Sequence, residues 1–256
     1  MGAHRADAFE ADMRPAAVPL WREGLTAFDW LSLHTAPVYY GLGVPRGAGE
    51  GVVVVPGFLG TDGYLRELFW WLRRIAYRPF LSRIGRNADC LEVLAERLTR
   101  TIEAAHRDAG GPVHLIGHSL GGMLAMSVAA ARPELIASVA TLGSPIRGIR
   151  SHPLVLRASE VVRNRIRRSR GAAERPDCFT GRCECRAVAR FRAGLPVSMP
   201  RIAVYTRTDG IVDWRYCLSG DPGTDHEVPG THIGLVWNAG VYRLIAAHLA
   251  RCRDPG

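Results

Sequence analysis

Val113-His114-Leu115-Ile116-Gly117-His118-Ser119-Leu120-Gly121-Gly122 is the stretch that decides the fold of this chain. An apolar run ends abruptly in Gly-x-Ser-x-Gly and continues with helical character, the pattern of a nucleophile elbow. In such an elbow a buried strand turns sharply into a helix, and the serine at the apex holds a strained backbone that pushes its hydroxyl into a cleft. Gly117 and Gly121 leave the room that the tight approach of strand and helix requires. The helix opening near Leu120 also aims its N-terminal amides and positive dipole end at the place where an anion would develop.

The same alternation extends on both sides. Gly51-Val52-Val53-Val54-Val55-Pro56 is a β-branched run bounded by glycine and proline, as a strand buried on both faces of a parallel sheet reads, and it ends in the turn Pro56-Gly57-Phe58-Leu59-Gly60. Leu65, Leu68, Phe69, Leu72 and Ile75 then recur at helical spacing, with Asp62 placed as an N-cap. A second strand is expected over 77–84. Asn87-Ala88-Asp89 follows as a cap for an amphipathic helix carrying Leu91, Leu94, Leu98, Ile102 and Ala105, which Gly110-Gly111 stops. Beyond the elbow come a helix over 121–131 and a strand over 136–142, ending in Gly143-Ser144-Pro145. Alternating strand and helix predicts a mostly parallel central sheet with helices on both faces.

A chain of 256 residues with 47% hydrophobic composition can fill the core of one large α/β domain, so a single domain over 1–256 is expected. Within it, residues 1–45 read as an N-terminal segment that packs a short helix on the domain through Leu20, Leu25, Phe28 and Leu31. Arg14, Arg22, Glu23 and Asp29 interrupt any apolar stretch of signal-peptide length there, and nothing resembles a spanning helix. The expectation is a soluble, cytoplasmic protein.

The regular pattern lapses over about 146–198, which reads as a lid inserted between two strands. The formal charge is +9, and every basic side chain counted is arginine, a bias that a GC-rich coding sequence explains by itself. Its distribution is more telling, because Arg147, Arg150, Arg157, Arg163, Arg165, Arg167, Arg168, Arg170 and Arg175 crowd one stretch. With Leu154, Val155, Val161, Val162 and Ile166 interspersed, this is either a lid whose arginines meet a membrane surface or a solvated helix with one charged face. No aromatic residue lies between Arg147 and Arg175, so nucleic-acid binding by base stacking is excluded as a reading. Cys178, Cys183 and Cys185 cluster in the insertion and Cys217 follows. A structural zinc, two disulfides and unbridged buried thiols all stay open, since the Cys-x4-Cys-x-Cys spacing matches no strong zinc motif.

A serine hydroxyl is a poor nucleophile at neutral pH and needs a histidine to accept its proton and a carboxylate to fix the histidine's tautomer. Asp209 directly follows the short strand Ile202-Ala203-Val204-Tyr205, and His232 sits in Gly230-Thr231-His232 after a further strand around His226-Glu227-Val228; a closing helix over 236–249 ends the chain. Asp213 competes with Asp209 but lies farther from the strand end; Asp225 reads as a turn cap, His226 sits within a strand, and His118 packs beside the serine rather than serving as its base. The backbone N–H groups of Leu120 and Phe58 would form the oxyanion hole.

These residues carry a resemblance. Over roughly 50–250 the chain is similar to α/β-hydrolases of the bacterial esterase and lipase type, in Val53-Val54-Val55-Pro56-Gly57-Phe58, Ile116-Gly117-His118-Ser119-Leu120-Gly121-Gly122, Leu142-Gly143-Ser144-Pro145, Tyr205-Thr206-Arg207-Thr208-Asp209-Gly210 and Gly230-Thr231-His232-Ile233-Gly234-Leu235. The resemblance implies the α/β-hydrolase fold and hydrolysis of a small-molecule or lipid acyl ester through an acyl-enzyme, with no cofactor in the chemistry. Pro56-Gly57 stands where many relatives have His-Gly, which keeps the amide donors and removes a side-chain contact. Thioesterase, acyltransferase and peptidase activities use the same constellation, and a non-catalytic lipid-binding protein retaining the fold is the alternative from another class.

Overall fold

The computed structural model describes residues 10–170 and 182–253. A six-stranded, wholly parallel sheet forms the centre, built from β2 (Gly51–Val55), β3 (Arg78–Leu81), β4 (Val113–His118), β5 (Ile136–Leu142), β7 (Arg201–Tyr205) and β8 (Asp225–Glu227), in the order β3-β2-β4-β5-β7-β8. The sequence did not announce a separate parallel pair, β1 (Glu10–Pro15) with β6 (Gly148–Ser151), which ties the N-terminal segment to the insertion.

The valine run explains why two helical layers are needed. Val52 and Val54 point into one core with Leu68, Leu72 and Ile245, whereas Val53 and Val55 point into the other with Leu94, Leu98 and Leu124. Successive strand side chains alternate faces, so an all-valine strand must be covered on both. α2 (Arg66–Arg74) and α7 (Ala239–Arg253) cover the first face; α3 (Leu91–Ala109), α4 (Leu120–Ala131) and α6 (Arg186–Ala193) cover the second. Each fully buried valine contributes about 1.5–3 kcal/mol relative to exposure.

Three local expectations are corrected. Asp62 does not cap a helix: its carboxylate takes the amides of Ser82 and Arg83 and the Ser82 hydroxyl, bracing the end of β3, and the helical segment opens as a 3-10 turn over Asp62–Leu65 before α2. Cys90, and none of Asn87-Ala88-Asp89, occupies the N-cap position of α3. The N-terminal helix α1 (Thr26–Thr35) packs the other way round from its hydrophobic spacing, with Phe28 69% and Leu31 54% exposed while Leu33 is fully buried. Its inward face combines Leu33 with polar groups, because Thr26 and Asp29 bond to Thr231. Spacing identified the helix but not the face, since polar groups on the neighbouring loop demanded polar partners.

The Arg-rich stretch forms α5 (Pro153–Arg170), which turns Val162 and Ile166 onto Phe58, Ala88, Cys90 and Leu120. Among the described residues no helix is long and apolar enough to cross a membrane.

Candidate active site

β4 runs in register between β2 and β5, pairing Val55 with Gly117 and His118 with Leu142. The Ser119 amide then bonds to Leu142 O at 2.8 Å, so the ladder holds the residue at the apex after the strand has ended. Ser119 has φ +52° and ψ −125°, a conformation that L side chains rarely adopt and that costs about 1–3 kcal/mol. The surroundings enforce it: a Cβ on Gly117 would collide with the backbone of Gly121 and Gly122, and one on Gly121 with the carbonyls of Val55 and Pro56. Leu120 opens α4, so its N–H belongs to the first turn, where amides have no intrahelical acceptor.

The turn after β2 lies against this apex. Asn87 is fully buried and donates from Nδ2 to Pro56 O at 2.7 Å, its own N–H reaches Gly60 O, and its carbonyl takes the Leu59 amide. Gly57 N–H donates to the Tyr64 hydroxyl at 2.6 Å. That hydroxyl lies 2.9 Å from His118 Nδ1, while His118 Nε2 lies 2.9 Å from His232 O. A carbonyl only accepts, so Nε2 carries the His118 proton, Nδ1 accepts, and Tyr64 O–H donates to it. One chain of hydrogen bonds thus runs from the Gly57 turn through Tyr64 and His118 to the backbone of His232. Burial, followed by the neighbouring His232, pushes His118 down to about 3, so its imidazole stays neutral across the ordinary pH range.

Asp209 and His232 are both buried. His232 Nδ1–H donates to Asp209 Oδ2 at 2.6 Å, and Asp209 Oδ1 accepts the amides of Ile211 at 2.8 Å and Val212 at 2.7 Å. All of the carboxylate's capacity on the loop side is therefore used to aim one oxygen at the imidazole, which leaves Nε2 of His232 with its lone pair. Burial works to lower the His232 pKa, but the Asp209 charge and hydrogen bond, with Glu23 adding to them, outweigh it and leave the imidazole above its ordinary value of 6.5. Asp213 faces elsewhere, capping the 3-10 turn Trp214–Cys217 and pairing with Arg215, and Asp225 takes the amides of Ser219 and Gly220.

Ser119 and His232 share the wall of a cavity of about 520 Å³ with Phe58 and Leu120. The remaining lining is almost wholly apolar, including Met13 of β1, Met123 of α4, Ile149 of β6, and Leu154 and Val155 of α5. Four of the residues picked out by sequence therefore meet at one cavity, and Asp209 stands behind His232. The cysteines do not gather in the same way: Cys183 and Cys185 are buried on the α3–α4–α6 face, Cys217 is buried in a separate cluster with Tyr205 and Val212, and Cys178 lies outside the described residues. Cys183 and Cys185 are free thiols, and the Cys185 thiol is pushed up by its hydrogen bond with Cys183 and by burial. Among the described residues no group of three or more His, Cys, Asp or Glu side chains is arranged to hold a metal.

Sequence reasoning missed Tyr64, Asn87, Glu23 and Asp29. The last two belong to the N-terminal segment, where Glu23 accepts three backbone amides from the loops bearing Asp209 and His232. Nothing in the spacing of a lone carboxylate so far from its partners signals such a contact.

Comparison with known proteins agrees with the architecture. The model of the α/β hydrolase fold matches residues 90–171. Triacylglycerol lipases of Pseudarthrobacter phenanthrenivorans and Burkholderia plantarii are each 31% identical over 106 residues, covering 38% of this chain and 33% and 30% of those proteins. The chain thus matches about a third of the length of these curated relatives. A solved structure from work on LipS and LipT, two metagenome-derived lipolytic enzymes, superposes with a TM-score of 0.55 at 15% identity, over 82% of this chain and 96% of the other.

Proposed function

We propose that this chain, which has the α/β-hydrolase fold and resembles bacterial lipases and esterases, is a serine hydrolase that cleaves carboxylic esters with an apolar acyl group. The observation that carries the proposal is the buried 2.6 Å bond from His232 to Asp209 beside a strained Ser119 on one apolar cavity. A structural histidine would not need a buried carboxylate on Nδ1 while lining, together with the elbow serine, one apolar cavity.

In the proposed reaction, His232 Nε2 takes the Ser119 proton as Oγ attacks the ester carbonyl. The N–H groups of Phe58 and Leu120 receive the oxyanion. Collapse breaks the C–O bond to the alcohol, which leaves with the proton from His232, and an acyl group remains on Ser119 Oγ. Water then attacks the acyl carbon with His232 again as base, releasing the carboxylic acid and restoring the serine. The Asp209 carboxylate stabilises the imidazolium in both halves.

An apolar cavity of about 520 Å³ lies in the range of ~300–1,000 Å³ that buries most of a drug-sized ligand, which suits one acyl chain. Thioesters, acyl transfer and peptides would engage the same groups; the relatives' description as triacylglycerol lipases favours oxygen esters. Hydrolysis of a p-nitrophenyl ester series from acetate to palmitate tests the reading. The expected result is turnover that rises from acetate to a medium chain and is abolished by Ser119→Ala; folded protein with no turnover on any member would contradict it.

A further inference from the structure

We propose that Glu23 is a positioning residue that clamps the Asp209 loop to the His232 loop, so that the N-terminal segment forms part of the reacting centre. The proposal rests on the assignment of Ser119, His232 and Asp209 as the reacting groups. Glu23 sits on a 3-10 turn over Leu20–Leu25 and reaches both loops at once. Its Oε1 accepts Gly210 N–H at 2.9 Å and His232 N–H at 3.0 Å, and its Oε2 accepts Ile233 N–H at 2.9 Å. The first amide directly follows the acid and the second belongs to the histidine itself. Two loops separated by more than twenty residues of chain are thereby fixed to one rigid, planar group.

The site is shaped for this carboxylate. A Cβ on Gly210 would come within 2.8 Å of Glu23 Oε1 and 2.9 Å of Pro19 O, so the approach depends on glycine there. A Cβ on Gly234 would likewise collide with the Asp29 carboxylate, which takes Thr231 N–H at 3.0 Å and the Thr231 hydroxyl at 2.8 Å. Two carboxylates of one short segment therefore hold the histidine loop on both sides of His232. Neither touches the imidazole ring: Asp209 does that through Nδ1, and Glu23 acts through the backbone.

The charged and titratable groups that face His232 are Asp209 from the loop after β7, Glu23 from the N-terminal turn, His118 from the end of β4 with ring centroids 4.9 Å apart, and Asp29 from α1 by way of Thr231. His118 stays neutral, so the negative charges dominate and favour the imidazolium. Replacing Glu23 by Gln removes one of those charges and sets an NH2 group, which only donates, against an amide N–H, so the side chain no longer holds all three loop amides at once and the clamp loosens.

The experiment compares wild type, Glu23→Gln and Gly210→Ala in the full chain. It reads kcat and KM on p-nitrophenyl butyrate, the melting temperature, and the titration of the His232 Cε1–H by NMR. The expected result is a fall in kcat of about tenfold to a hundredfold in each variant, the scale of a sub-ångström to ångström misplacement, with KM little changed. In Glu23→Gln the His232 midpoint moves down. Gly210→Ala keeps the carboxylate and displaces it, so it decides the matter if Glu23→Gln does not fold. Wild-type kcat in both variants overturns the clamp, as does a loss of kcat that follows a lower melting temperature with the His232 midpoint unmoved. A wild type that turns over no ester ends the hydrolase assignment instead, and the NMR titration still reads the clamp.

Discussion

The loop after β7 and the N-terminal segment each send one carboxylate to His232, and they do so in opposite ways. Asp209 binds the ring, and both of its oxygens are held by its own loop or by the imidazole. Glu23 binds only main-chain amides and comes from a segment that turns Trp21, Phe28 and Leu31 to solvent. The difference separates two tasks that a reacting centre needs: an electrostatic partner chosen for the histidine's tautomer, and a mechanical tie between loops. Evolution can place the second anywhere that reaches.

That division is broken most sharply at the ring. Asp209→Asn should lower kcat on butyrate ester by about 10⁴-fold with the fold intact, since an amide does not hold the required tautomer. Asp213→Asn is the contrast, because its carboxylate caps the Trp214–Cys217 turn; kcat within about twofold of wild type is expected there by the same assay. If Asp213→Asn were the more damaging, the two aspartates would have to exchange roles. A smaller effect is expected at the other end of the hydrogen-bond chain. Tyr64→Phe removes the acceptor for Gly57 N–H and the donor to His118 Nδ1, so the turn that bears Phe58 loosens and kcat should fall about tenfold, with an unchanged pattern of acyl-chain preference.

The mildest test uses pH. His232 is held above its ordinary 6.5, and in the proposed reaction only its neutral form accepts the serine proton, so kcat/KM should rise with pH through a limb displaced upward from that value. His118, down at about 3, contributes nothing to that limb. An acid limb below the ordinary histidine range would mean that Asp209 does not stabilise the charged ring.

The sheet and the elbow were legible because their patterns follow from geometry. A run such as Val52-Val53-Val54-Val55 has few homes other than a strand covered on both faces, and glycines at 117 and 121 are required by backbone approaching backbone. The alternation of strand and helix accordingly predicts the parallel sheet that is observed. Asp209 and His232 stand out by their places after two successive strands, and the structure sets them 2.6 Å apart. What stayed hidden depends on contacts between distant segments. Glu23 lies beside Gly210 only because the whole sheet separates them in sequence and joins them in space, and the polar part of the inner face of α1 is set by unsatisfied groups around Thr231 rather than by its own periodicity. Asn87 shows the same limit, since a residue that reads as a helix cap instead bonds across the turn that carries Phe58.

The central claim is that Ser119 is a nucleophile activated by His232 and Asp209, and covalent trapping tests it most directly. Wild type, Ser119→Ala and Asp209→Asn are incubated with a fluorophosphonate, and the adduct is mapped by peptide mass spectrometry. One adduct on the peptide bearing Ser119 is expected in wild type, none in Ser119→Ala, and labelling slowed by orders of magnitude in Asp209→Asn. Folded wild type that takes up no probe, or that takes it up at another residue, would contradict it.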